Sequence, residues 1–505
     1  MEQRAQLVSH DHPLFFSLFA TLFFIAFTFT NPYMAAPYIV SDLGGSNTIG
    51  IYGVAFFGIG SALAVPLGKP LLARLHVRKV LIYCTLLMTF FTLLCGIAPN
   101  YPIFIIMRFF LGFSVGPLYS ALNFTLTSLV AKEKKAAAMS VFVTILTVVP
   151  VIGACWGGFI AYEYFWRWIY YFNIPFLLLL AWIQAISLKN IDLKLEKTPF
   201  DWIGYIFFFI GVFSLSFSLI TAQQLDWYRS QLLLFLVLIG LPCFIFYVLW
   251  SLFHPTPILD LKMLRKPAFA FALINMALLF SSYFGMITLL AFWLTLYANY
   301  TPLWIGVAIG TMAIAGLFPR FLIEGRLSKF DPRIALGLAI IFLAVSCFHT
   351  TIFDTDINFG RIAFSRMIAG FGLALFLPPI FQLCFQSFPA TKSVDVIEIF
   401  QVVRNLAAGL GAAIYSIIWQ RREVFFHERI GEGLNIFSHQ TKLFFTKIIL
   451  LHVPGDPKAQ LDYYLERKAT SLALDDVFWL MAWILVGLFI FLILTLRWTK
   501  LEKIE

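Results

Sequence analysis

The chain has 505 residues, of which 61% are hydrophobic, 18% aromatic and 12% charged, with a formal net charge of +10 and a mean hydropathy of +0.87. Soluble domains carry roughly 45–50% apolar and about 25% charged residues, so a secreted disulfide scaffold, a disordered protein and an ordinary soluble enzyme are excluded. The basic excess lies between apolar runs, as anchors of membrane helices, and not in a nucleic-acid-binding patch.

A helix needs about twenty apolar residues to cross a bilayer. Runs of that kind recur fourteen times, at 14–40, 49–68, 80–98, 102–130, 136–162, 168–188, 202–221, 231–253, 268–298, 303–323, 334–353, 360–388, 396–420 and 477–497. They predict an all-α polytopic membrane protein. The first run follows the charged leader Met1–Asp11 and is longer than a signal-peptide core, so it is read as a span. With the N-terminus inside, twenty-two lysines and arginines fall in cytoplasmic connections and tails, among them Arg74 and Arg78. Short outer loops hold three, Arg167, Arg229 and Arg361. This bias predicts that both termini are cytoplasmic and that residues 421–475 lie outside. The six cysteines stand inside apolar runs without metal-ligand spacing, and no phosphate-binding loop ending in Gly-Lys-Ser/Thr occurs. No cofactor is expected. Nor is an enzyme, since no nucleophile, base and acid stand at usable spacing.

Spans 4 and 12 share a pattern, Arg108-Phe-Phe-Leu-Gly112 against Arg366-Met-Ile-Ala-Gly370, at an offset of 258 residues that also carries Gly153 onto Gly411. Two duplicated six-helix halves, 1–190 and 267–505, are therefore expected, with an inserted helix pair and linker at 191–266. Paired halves around a midplane cavity are the layout of a secondary transporter.

The run Pro150-Val-Ile-Gly153-Ala-Cys-Trp-Gly157-Gly158, followed by Phe165-Trp-Arg-Trp-Ile-Tyr-Tyr-Phe-Asn-Ile-Pro175, is the most specific signal. It resembles the antiporter motif of helix 5, and the run after it, in the major facilitator superfamily. In particular it looks like the fourteen-span drug:H+ antiporter branch, the EmrB/QacA type. The resemblance implies the major facilitator fold, a gating role for Pro150, Gly153, Gly157 and Gly158, and an inner gate at the loop of Arg74 and Arg78. By themselves, the three glycines on one helix face also read as plain close packing. The chain departs from the family in three places. The loop of spans 2 and 3 lacks the motif's aspartate and glycines, span 4 has Leu111 where a glutamine is usual, and Thr28 replaces the acid often found on helix 1.

A proton-coupled carrier needs a titratable group within the membrane. Few acids qualify. Glu398, six residues before Arg404 and three after Asp395, is the proton-coupling candidate, set against the reading of a solvated helix-start carboxylate. Bare cations in lipid must face protein, water or a ligand, so Arg108 and Arg404 join Thr28, Asn31, Asn123 and Gln382 as substrate or cavity candidates. Asn275, Gln386, Gln401 and Asn405 are further uncharged candidates. A mostly apolar cavity with amides and positive charges suits amphipathic or anionic compounds. The expected function is export of such compounds by H+ antiport. The alternative is an uptake or metabolite/siderophore facilitator on the same fold without conventional proton coupling. The region 421–475 is expected to form two short helices about a turn at Pro454. Resemblance to EmrB implies that it meets a periplasmic adaptor, which places the chain in a cell inner membrane.

Overall fold

The computed structural model describes the chain outside residues 1–11, 47–49, 131–134, 190, 192, 196–198, 324–330, 390–391, 433, 435–438, 451–455 and 496–505. The leader, Lys132, Lys134, Arg326, Lys329, Pro454 and the last ten residues therefore lie outside the described part. Everything regular among the described residues is helical. Span 1 is split into α1 (His12–Thr30) and α2 (Ala36–Asp42), and span 2 into α3 (Tyr52–Ala64) and α4 (Gly68–Arg74). Then follow α5 (Val77–Gly96), α6 (Tyr101–Leu129), α7 (Lys135–Glu163), and the sixth span as α8 (Trp168–Tyr171) and α9 (Asn173–Ser187). The pair α10 (Trp202–Thr221) and α11 (Gln231–Phe253) comes next. After it stand α12 (Pro267–Leu296), α13 (Pro302–Ile323), α14 (Pro332–Thr350), α15 (Phe359–Gln386), α16 (Ser393–Glu432), the short α17 (His439–Leu450) and α18 (Pro457–Thr495).

Thirteen of these segments are long and apolar enough to cross a membrane, and α13, apolar over its described stretch Pro302–Leu317, occupies the tenth predicted span. The chain is a multi-pass membrane protein. Polar caps in the connections set several helix starts. Asn100 accepts from the Ile103 amide at 3.0 Å, Asp201 from Gly204 at 2.8 Å and Asn358 from Arg361 at 3.0 Å, each satisfying an otherwise orphaned donor.

Helix pairing follows the 258-residue offset. In the first half α1 packs on α7, α3 on α6, and α5 on both α6 and α9; in the second, α12 packs on α16, α13 on α15, and α14 on both α15 and α18. The halves meet through α3 against α16 and α7 against α13. The inserted α10 and α11 close on each other where a Cβ on Gly211 would stand 2.7 Å from the Phe244 amide nitrogen. Of the two, α10 is the one seen to pack on the bundle, touching α3 and α16 at the seam. Few side chains of α11 are buried, so it turns its long apolar face to lipid.

Residues 421–475 differ from the expected loop with two short helices. At 40 and 39 residues, α16 and α18 are each about 60 Å long, twice the apolar thickness of a bilayer, and so their ends continue beyond it. The stretch Ala459 to Leu474 is the first part of α18, and only α17 is a separate short helix. The projecting ends pack side by side. The Arg422 guanidinium donates to Asp476 Oδ2, Trp419 Nε1 to the Thr470 carbonyl at 3.1 Å, and Arg467 Nε to the Tyr297 carbonyl at 2.9 Å. In a chain freed of its six cysteines, Arg422→Cys with Asp476→Cys should form a cross-link with a short bifunctional thiol reagent, read as a gel shift after cleavage between the positions. Absence of cross-linking would mean that the two helices do not run together outside the membrane.

Candidate functional site

Two groups of residues emerge, one inside the first half and one between the halves. The first begins with the break in span 1. In a continuous helix the Thr28 carbonyl would receive the amide of residue 32, but Pro32 has no N–H. The Tyr33 amide turns back to the Thr30 carbonyl at 3.0 Å, which leaves the Phe29 carbonyl free as well. Arg108 supplies what is missing. Its Nη1 donates to the Thr28 carbonyl at 3.1 Å, Nη2 to Phe29 at 3.0 Å and Nε to Gly53 at 3.0 Å, and its guanidinium lies 4.7 Å from the Phe57 ring centroid. The side chain is wholly buried.

The helix-5 motif packs on the same break. Thr30 Oγ1 donates to the Pro150 carbonyl at 2.7 Å, and a Cβ on Gly153 would come 2.7 Å from the Phe27 carbonyl oxygen. A Cβ on Gly157 would overlap the Asn31 carbonyl, so no larger residue fits there. Gly158 faces the other half, where its Cβ would lie 2.5 Å from the Pro302 carbonyl oxygen at the start of α13. Asn31 is buried, with Nδ2 donating to the Ile169 carbonyl at 3.5 Å. The repeat partner of Arg108 has different surroundings. Arg366 Nη2 donates to the hydroxyls of Thr350 at 2.6 Å, Ser365 at 3.0 Å and Ser346 at 3.3 Å, while its Nε and Nη1 are buried without a protein partner.

The second group lines the seam of α16 against α3, α4 and α6. Arg404 is 3% exposed and lies over the rings of Tyr119 (4.9 Å) and Phe280 (5.7 Å), one from each half. Its Nη2 donates to Asn405 Oδ1 at 3.0 Å, Nε is buried without a protein partner, and no carboxylate among the described residues pairs with it. Asn405 Nδ2 crosses the seam to Ser61 Oγ at 2.9 Å. Toward one end of the same face stands Glu398, at 1% exposure a buried group and not the solvated helix-start carboxylate of the alternative reading. Pro66 sits in a 3-10 turn, Val65–Leu67, where the Gly68 amide takes the Val65 carbonyl. The Lys69 amide is thereby freed and donates to Glu398 Oε1 at 3.1 Å; Ser120 Oγ donates to the same oxygen at 3.2 Å. Lys69 Nζ pairs with Asp395 at 2.5 Å. Glu398 Oε2, both amide atoms of Gln401 and both of Asn123 are buried with no hydrogen-bond partner in the protein. Asp201, the other buried acid among the described residues, has both oxygens engaged, by Gly204 and Trp250.

Of the candidates, Arg404, Glu398 and Asn123 thus come to the seam, and Thr28, Asn31, Arg108, Pro150, Gly153 and Gly157 gather around the broken span. Gln382 stands half-buried in α15. Arg74 is exposed, and Arg78 lines a groove at the foot of α5. Sequence reasoning missed Ser61, Tyr119, Ser120 and Phe280. One usable signal was present for Ser120, since Arg108, Gly112, Gly116 and Ser120 recur at four-residue spacing on one helix face.

The bonding separates the arginines experimentally. Arg108→Ala strands three buried carbonyls and should lower stability by about 3 kcal/mol or more, read as loss of monodisperse protein or a lower melting temperature. Arg404→Ala removes one bond to its own neighbour and should leave the folded amount near wild type. Equal loss in both variants would contradict this division.

Known sequences and structures agree with this architecture. The sequence profile of the Major Facilitator Superfamily matches residues 17–412. The fatty acid resistance protein FarB of Neisseria gonorrhoeae is 28% identical over 411 residues, 81% of either chain. The multidrug export protein EmrB of Haemophilus influenzae is 26% identical over 465 residues, 90% of either chain. Among solved structures, a bacterial homolog of the human lysosomal transporter Spinster, inward-facing and unoccupied, superposes with a TM-score of 0.63 over all of both chains at 12% identity. The human organic anion transporter MFSD10 superposes at 0.57, also at 12% identity, covering 94% of this chain and 99% of that one. At such identities the structural likeness concerns the fold alone.

Proposed function

Because the chain belongs to the Major Facilitator Superfamily, we propose that it is a secondary active exporter of small amphipathic compounds, hydrophobic or anionic, driven by H+ antiport. The observation that carries the substrate class is Arg404, a buried cation beside two aromatic faces with no carboxylate among the described residues to neutralise it. Such a slot offers an apolar wall to a hydrophobic body and a charge-assisted bond to a carboxylate, and it repels a lipophilic cation. The names of the relatives, fatty acid resistance and multidrug export, lie within that class. The proposed halves are 1–190 and 267–505 with the insert at 191–266. The basic bias supports cytoplasmic termini in a cell inner membrane.

Glu398 is the proposed proton carrier. It is a wholly buried acid with an unengaged oxygen, it joins α16 of one half to the α4 backbone and Ser120 of the other, and its bonding changes with its proton. Protonation would weaken the bonds that Oε1 accepts, so proton uptake and opening of this end would be one event. In everted vesicles, a pH gradient should drive accumulation of a medium-chain fatty acid. Arg404→Ala should reduce that uptake about tenfold or more, the loss of one charged hydrogen bond, and Glu398→Gln should uncouple it from the gradient. Uptake of a lipophilic cation in preference to the acid, or unaltered gradient dependence in Glu398→Gln, would refute the respective part.

The projecting helices and α17 are proposed to meet a periplasmic adaptor. Deleting 434–456, which joins α16 to α18, should preserve vesicle transport and abolish protection of cells against the exported compound. Equal loss in both assays would assign the segment to the transporter itself.

A further inference from the structure

At the end of the bundle where α5 begins and α9 ends, a cavity of about 530 Å³ opens on the surface of the first half. Its lining includes His76, Arg78, Lys79 and Lys189 together with Ile82 and Tyr83, and none of the described residues lining it is acidic. Lys79 and Lys189 are exposed, while Arg78 Nε is buried and has no hydrogen-bond partner in the protein. Arg78 and Lys79 stand in the first turn of a 20-residue helix, whose dipole adds positive potential there. A concentration of positive charge with an unused buried donor is suited to a phosphate oxygen.

The surface above the cavity restricts the ligand further. Along α5, Tyr83, Leu86 and Phe90 are 57%, 41% and 52% exposed and recur at three- and four-residue spacing, forming one outward apolar stripe. On α9, which packs against α5, Trp182 and Ile186 are 62% and 55% exposed. A cationic cup thus lies at the foot of an apolar track on the lipid-facing side of a membrane bundle. A soluble anion would use the cup and leave the track bare. We propose that this groove is a binding site for one anionic phospholipid, its phosphodiester held by Arg78, Lys79 and Lys189 and its acyl chains lying along Tyr83, Leu86 and Phe90. The loop of Arg74 and Arg78 then has a task at the membrane boundary, separate from the seam of Arg404 and Glu398. The inference requires the membrane fold and does not depend on the transported compound.

Native mass spectrometry of the delipidated full chain tests it, with titration by phosphatidylglycerol, by phosphatidylethanolamine of the same chains, and by inorganic phosphate. Phosphatidylglycerol should bind about tenfold more tightly than phosphatidylethanolamine. Lys79→Glu and Lys189→Glu, at exposed positions that a folded chain tolerates, should each weaken phosphatidylglycerol about fivefold. They should leave phosphatidylethanolamine unchanged, and Arg78→Ala should remove the preference. Equal binding of the two lipids, or unaltered phosphatidylglycerol binding in both lysine variants, would overturn the proposal. So would displacement of the lipid by millimolar inorganic phosphate, which would assign the groove to a free anion.

Discussion

A helix that stops inside a bilayer leaves carbonyls with no water to receive them, and this constraint organises the first half. Lipid offers no hydrogen bonds, so irregular backbone survives at depth only where protein supplies the missing donors. Pro32 creates the deficit and Arg108 removes it, by a fork of donors that reaches Thr28, Phe29 and Gly53 from a neighbouring helix. The glycines of α7 then allow that helix to lie directly against the opened backbone. The second half shows what happens when the deficit is absent. At the position equivalent to Pro32 the second half has Leu290, α12 runs unbroken from Pro267 to Leu296, and Arg366 turns instead to three hydroxyls. An arginine stands at both places, and the backbone opposite it decides its partners.

The seam follows different rules because its partners come from different halves. The loop of spans 2 and 3 lacks the family's aspartate, yet a charge pair forms at that end of the bundle. There Lys69 of the first half meets Asp395 of the second. Polarity is divided so that each half alone would carry an unpaired charge, and only their approach neutralises it. Glu398 adds a bond to the backbone N–H of residue 69, which any residue there but proline would preserve. At the opposite end the closure is steric, Gly158 against Pro302. One end is thus held by groups that respond to protons and salt, the other by shape.

The number and order of spans were legible because apolar length is a local property, read without knowing any neighbour. Even the split of span 1 could be read from Pro32, since the orphaned carbonyl follows from the missing N–H. Residues 421–475 were misread for a related reason. A helix that leaves the bilayer becomes polar, and hydropathy cannot distinguish a polar helix from a loop; the pairing of Arg422 with Asp476, which keeps the extension helical, joins residues 54 apart. Glu398 was illegible to a greater degree, because its partners Lys69 and Ser120 are 329 and 278 residues away. Arg108 shows the converse. Its cost in lipid marked it correctly as a paired residue, but cost alone does not say whether backbone, substrate or water completes the pairing.

Asn123, Gln401 and Glu398 Oε2 bear on how the halves move. A buried amide with neither donor nor acceptor engaged forfeits roughly 1–3 kcal/mol for each group, enough to matter against the marginal stability of a helix interface. By helix spacing Asn123 shares the α6 face of Tyr119 and Ser120, and Gln401 the α16 face of Glu398 and Arg404, so water or a ligand entering the seam would satisfy them. The seam therefore offers water or a ligand polar groups that no protein partner takes, beside the apolar and glycine contacts that draw the halves together. Two arrangements within a few kcal/mol of each other are what alternating access demands, since a ligand or proton can shift only a balance that is already close. A seam of leucines would close more firmly and transport nothing.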